Sequence, residues 1–149
     1  MNRIELSVDI AAPVGRVWRA LCDPAEVASW DPGLVEALDA PAEYPQPGQR
    51  VRWQMRSGPY DTLADSPQEV LLERRLRTLL ELGPIHMDET YELTPLDGGC
   101  RVELVVEWSA PALIAGLAGR SLREGFEASL AGLKRWCEAE PSPRVETRG

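Results

Sequence analysis

The sequence has 149 residues, with 16 Lys or Arg against 24 Asp or Glu, a formal charge of −8. Its 44% hydrophobic and 27% charged residues suit one globular core of ordinary size. The acidic balance argues against nucleic acid and anionic membrane surfaces as partners, and no apolar run is long enough for stable membrane insertion. The densest basic run, Arg74-Arg75-Leu76-Arg77, would be split between two faces by strand alternation. Cys22, Cys100 and Cys137 are far apart, form no C-x-x-C pair, and have only His86 as a further soft ligand, so no metal site is expected. They read as small buried hydrophobes of a reducing cytoplasm, and the first residues carry no apolar signal core. Residues 1–140 read as one domain, with a polar tail from Pro141 to Gly149.

In chain order, Ile4, Leu6, Val8 and Ile10 alternate with Glu5, Ser7 and Asp9, which predicts a first strand. Pro13 then suits the first turn of a helix carrying Val14, Val17, Trp18 and Leu21 at helical spacing. Asp23, Pro24 and Glu26 match N-cap, N1 and N3 of a second short helix ending near Trp30. Leu34 to Ala40 reads as a strand, as does the run of Val51, Trp53 and Met55 alternating with charged or polar residues. Tyr60 to Asp65 is a weaker strand ended by Ser66-Pro67, with Asp61 and Asp65 outward. Glu69 to Leu80 could be helix on composition. Between hairpin-like neighbours it reads as one strand with Val70, Leu72, Arg74, Leu76 and Thr78 inward.

From Ile85 to Trp108 the pattern is a β-hairpin turning at Asp97-Gly98-Gly99. Val102, Leu104, Val106 and Trp108 form one face of the second strand; Ile85, Met87, Tyr91 and Leu93 form that of the first. Glu89 breaks the pattern by falling on the apolar face, whereas His86 falls outward. A last element starts after Pro111, weakened by Gly116 and Gly119. It becomes a clear amphipathic helix from Arg120 to Ala139 with Leu122, Phe126, Ser129, Leu130, Leu133 and Cys137 on one stripe. The two glycines read as either a flexible cavity entrance or a close contact with the sheet. The expected fold is α+β: a curved antiparallel sheet of about six to seven strands around a long C-terminal helix, with two short helices after the first strand.

Several runs together resemble the SRPBCC superfamily, the START-like or helix-grip fold, and its polyketide cyclase/dehydrase and lipid-transport branch most closely. They are Ile10-Ala11-Ala12-Pro13 with Val17-Trp18, Leu21-Cys22-Asp23-Pro24, Trp30, Pro47-Gly48, Tyr91 to Val102, and Leu133-Lys134. The resemblance implies a cavity between sheet and helix that takes a hydrophobic or amphipathic small molecule such as a lipid, polyketide-like aromatic or isoprenoid. It implies no universal catalytic motif. Polyketide aromatase/cyclase chemistry and a co-chaperone-like interaction surface are the alternative functions.

On that fold the expected ligand-binding residues are Trp53, Met55, Leu72, Leu76, Met87, Tyr91, Leu104, Val106, Leu122 and Phe126, with Trp30 at the pocket mouth. The competing expectation is a filled core, since interiors are close-packed. Arg74 and Glu89, both on inward faces, are a structural ion pair or a polar anchor for the ligand. As weak catalytic candidates, Glu89 is the base and Arg74 the oxyanion partner. No G-x-S-x-G, P-loop or G-x-G-x-x-G is present, so no cofactor is expected. Nothing in the sequence specifies an oligomeric state.

Overall fold

The structure is a computed structural model and describes residues 2–139. The polar tail expected from Pro141 to Gly149 lies outside the described residues. Along the chain come β1 (Asn2–Ile10), α1 (Val14–Cys22), α2 (Pro24–Trp30), β2 (Leu34–Ala37), β3 (Val51–Met55) and β4 (Thr62–Leu71). After them come β5 (Arg75–Leu82), β6 (Ile85–Leu96), β7 (Gly99–Ser109) and α3 (Ala112–Ala139). The described strands form one antiparallel sheet in the order β1-β7-β6-β5-β4-β3-β2. This is the α+β helix-grip architecture expected from the sequence.

The central hairpin follows its alternation. Met87, Glu89, Tyr91 and Leu93 stand opposite Trp108, Val106, Leu104 and Val102, so one face of β6–β7 turns to the core. Gly98 takes φ 75° in the turn, a conformation that L side chains resist. At the start of α2 the Asp23 carboxylate accepts the Ala25 N–H at 2.9 Å, with Pro24 at the first helical position.

Glu69 to Leu80 is not one strand. β4 runs on through Ser66-Pro67, with a register shift between Pro67 and Glu69, and the chain then reverses at residues 72–74 into β5. A bulge absorbs the missing N–H of a proline inside a sheet. The turn holds Glu73 at φ 60°, a left-handed conformation met here without Gly or Asn. Leu72 is therefore 74% exposed, and Arg74 lies in the exposed turn instead of facing the core. Leu76 and Thr78 do point inward and are buried. Asp65, expected outward, is also buried, at 5% exposure.

The long helix α3 is held at its C-terminal half. Leu130, Leu133 and Cys137 are buried there, and a Cβ on Gly132 would run into the Trp30 carbonyl oxygen at the end of α2. Glu26 of α2 adds a polar clamp: it accepts hydrogen bonds from Arg16 Nη1 at 2.8 Å, Arg19 Nε at 3.0 Å and Trp136 Nε1 at 2.7 Å. The N-terminal half stands further off. Gly119 packs on the Trp108 ring, whereas Gly116 faces open space and Leu113 and Leu117 are exposed.

Gly132→Ala gains about 1 kcal/mol of helix propensity but forces a methyl group into a backbone carbonyl, an overpacking cost of about 3 kcal/mol. The variant should melt several degrees below wild type, while Gly116→Ala, with nothing in its way, should melt slightly above it. Thermal denaturation of the two variants side by side checks this.

Candidate ligand-binding site

Where α3 stands away from the sheet, a cavity of about 550 Å³ remains between them. Its sheet side is built by Met55, Leu63, Leu80, Leu82, Ile85 and Met87, and its helix side by Ile114, Ala118, Leu122 and Phe126. Inward of it lies a chamber of about 60 Å³ bounded by Trp30, Tyr44, Trp53, Asp65, Thr78 and Tyr91. Asp31, Leu34, Leu63, Leu80 and Glu89 border both spaces.

The strand register explains what Glu89 does there. It sits on β6 between Thr78 of β5 and Val106 of β7, on the face that carries Met87 and Tyr91. It is half-buried against the cavity, and its carboxyl receives no hydrogen bond from the described residues, nor does the Tyr91 hydroxyl. Burial first, then the charges of Asp65 and Asp31, push the Glu89 pKa well above its ordinary 4.5. Burial likewise raises the pKa of Asp31, although Gly33 N–H (2.9 Å) and Ser129 Oγ (3.0 Å) donate to Oδ1. Asp65 is the best-satisfied acid of the set. Its Oδ2 accepts from Tyr44 Oη at 2.6 Å and Trp53 Nε1 at 3.0 Å, and its Oδ1 accepts from the Thr78 hydroxyl. The inner end thus holds three acids, of which two are engaged by the protein and one is not.

The expected lining residues divide into three groups. Met55, Met87, Leu122 and Phe126 border the larger cavity, and Glu89 borders both spaces. Trp53, Leu76 and Tyr91 border the inner chamber. Trp30 belongs to that chamber too, not to a mouth: it is 6% exposed and its Nε1 donates to the Ala20 carbonyl at 2.8 Å. Leu104 and Val106 are fully buried but border neither space; they belong to the packed core. Leu72 and Arg74 are outside altogether, so Glu89 has no Arg74 partner.

Neither Asp31 nor Tyr44 is singled out in the sequence, and Asp65 is set outward there. For Asp65 a signal was present, because it shares strand parity with Leu63, which faces inward. Tyr44 lies in the loop before β3, where no periodicity applies. Other chemistry has less support. His86 is exposed, 3.8 Å from Glu81. Burial pushes the Cys22 thiol up to about 12 and the Cys137 thiol to about 11, far from nucleophilic thiolates. No group of metal-ligating side chains exists among the described residues. On the outer face of the sheet, a depression of about 690 Å³ carries charges largely paired across strands: Arg3 with Glu107, Arg77 with Asp88, Arg75 with Glu92.

The fold and this cavity place the protein in a known class. The family model for polyketide cyclase/dehydrase and lipid transport matches residues 1–138, and the chain belongs to that family. A crystal structure of CV1439 from Chromobacterium violaceum is similar at 26% identity and TM-score 0.79, covering 93% of this chain and 99% of that one. MLL2253 from Mesorhizobium loti shares the fold at 18% identity and TM-score 0.76, over 95% of this chain and 100% of that one. DynU16, a protein of the dynemicin biosynthetic locus, shares it at 24% identity and TM-score 0.71, over 93% of this chain but 48% of its own. A comparison with curated proteins finds no match. No helix among the described residues is long and apolar enough to cross a membrane.

The Glu89 environment sets a pH signature. A carboxyl whose pKa is raised on folding contributes fully below its unfolded value, and that contribution is lost as pH rises towards the folded value. Glu89→Gln removes the titration. The variant should gain stability over wild type as pH rises above about 4.5, by up to about 1.4 kcal/mol per unit, and the gap should close below it. Denaturant unfolding across pH 4 to 8 measures the difference.

Proposed function

We propose that the protein binds one hydrophobic or amphipathic small molecule in the cavity under α3, with residues 1–140 acting as a single unit. The observation that carries this reading is an apolar space of about 550 Å³ whose inner end presents an unpartnered carboxyl, Glu89. Cavities of this size suit drug-sized ligands, and a few convergent polar groups in an apolar wall are how such sites orient them. Met55, Met87, Leu122 and Phe126 would contact the apolar body, and Trp53, Leu76, Tyr91 and Glu89 the buried end. Leu72, Arg74, Leu104 and Val106 have no part in it. The family's description, which includes lipid transport, supports the same class of ligand. Three free cysteines are in keeping with work in a reducing cytoplasm.

Cyclase chemistry, the other activity in that description, is the weaker reading. A retained proton on Glu89 would supply an acid, but the cation that the sequence reading set beside it, Arg74, is on the surface. The charged and paired outer face likewise gives little support to a co-chaperone-like surface.

Phe126 borders the cavity from α3 and is only half-buried, so a larger polar side chain there should block the space while sparing the fold. Phe126→Arg is expected to weaken uptake of an apolar fluorescent probe at least about tenfold, a loss of about 1.4 kcal/mol, with an unchanged circular dichroism spectrum. Equal uptake by the folded variant would place binding elsewhere.

A further inference from the structure

The charge of the inner chamber narrows the ligand class, and the argument rests on the binding reading above. Around Glu89 the facing groups can be taken element by element. β5 offers Thr78 and Leu80, β7 offers Val106, β3 offers Trp53, and β4 offers Asp65. The end of α2 offers Asp31, the loop before β3 offers Tyr44, β6 itself offers Tyr91, and α3 offers Phe126 and Ser129. Among the described residues, no lysine, arginine or histidine borders either space. Three carboxyls line these two spaces without a cation, and the one with no hydrogen-bond partner, Glu89, is half-buried and borders both.

We infer that the cavity selects amphipathic molecules whose buried end is a protonated amine and rejects those ending in a carboxylate. A ligand carboxylate would be a fourth acid in a poorly solvated space, beside Asp31 and Asp65 and with no cation to offset them. A hydroxyl would satisfy the Glu89 hydrogen bond but gain little from Asp31 and Asp65. An ammonium group gains from all three, because the two engaged acids attract it while Glu89 becomes its direct partner.

The proton balance is explicit. An amine arrives as R–NH3⁺ and pairs with the Glu89 carboxylate, so the proton that burial favours on Glu89 in the free protein passes to solvent on binding. No covalent bond to the ligand forms.

Isothermal titration calorimetry with decylamine, decan-1-ol and decanoate tests the inference, run at about pH 6 in two buffers of different ionisation enthalpy. Decylamine should bind at least tenfold more tightly than decanoate and release protons on binding, with decan-1-ol between them and releasing none. In Glu89→Gln the proton release should disappear and the preference for amine over carboxylate should shrink. Decan-1-ol binding with decanoate as tight as decylamine would overturn the selectivity while leaving the cavity reading in place. Decylamine binding without proton release would overturn the role of Glu89 in the wild-type protein itself. No binding of any of the three would overturn the cavity reading along with the inference.

Discussion

The close approach of α3 to the end of α2 is the constraint on which the rest of the structure depends. Gly132 lets the helix backbone meet the Trp30 carbonyl, a distance that any side chain would forbid. Leu130, Leu133 and Cys137 then seal that half of the helix against the core. One end of a stiff rod is thereby fixed. The other end, with Gly116 and Gly119 in its first turns, leaves a gap to the sheet that Ile114, Leu122 and Phe126 line from the helix side. The cavity follows from this wedge, not from a missing core. The sealed half is as tightly buried as any domain interior, with Leu104, Val106 and Leu133 fully out of solvent.

Polar groups at the inner end obey a second constraint. A buried acid costs free energy unless donors surround it, and the protein meets that demand unevenly. Asp65 draws on Tyr44, Trp53 and Thr78, which come from the loop before β3, from β3 and from β5, so it also ties the far side of the sheet together. Asp31 is held by a backbone N–H and by Ser129 of α3, which brings the helix to the same point. Glu89 alone lacks donors, and its neighbours are the two acids just described. That position pushes its pKa well above the ordinary 4.5, and its carboxyl, like the Tyr91 hydroxyl, is left with unused hydrogen-bonding capacity.

Much of this could be read from the sequence because alternation and capping are local. β1, β3 and β7 follow period two and β6 does so apart from Glu89, and the Asp23-Pro24 start of α2 is a local hydrogen-bond pattern. Glu89 is legible as the one charge on the apolar face of the Ile85–Trp108 hairpin. The failures came where the physics is not local. The β4–β5 turn uses Glu73 at positive φ with no Gly or Asn to announce it, so Leu72 and Arg74 were placed on a strand that does not exist there. Leu104 and Val106 have the same alternation as true cavity residues. What separates them is where α3 lies over the sheet, a tertiary feature that strand alternation does not carry. Tyr44 and Asp31 come from loops, where tertiary hydrogen bonds place side chains that no periodicity marks.

The account's central claim is that the space beneath α3 is a binding site. Native mass spectrometry of protein purified gently from its own host, with the bound material extracted and identified, tests it most directly. The account predicts a one-to-one adduct with an apolar body and a hydrogen-bond-donating end, absent from protein carrying Phe126→Arg. An adduct retained by that variant, or a wild-type protein that stays at its bare mass when offered apolar amines and alcohols, would contradict it.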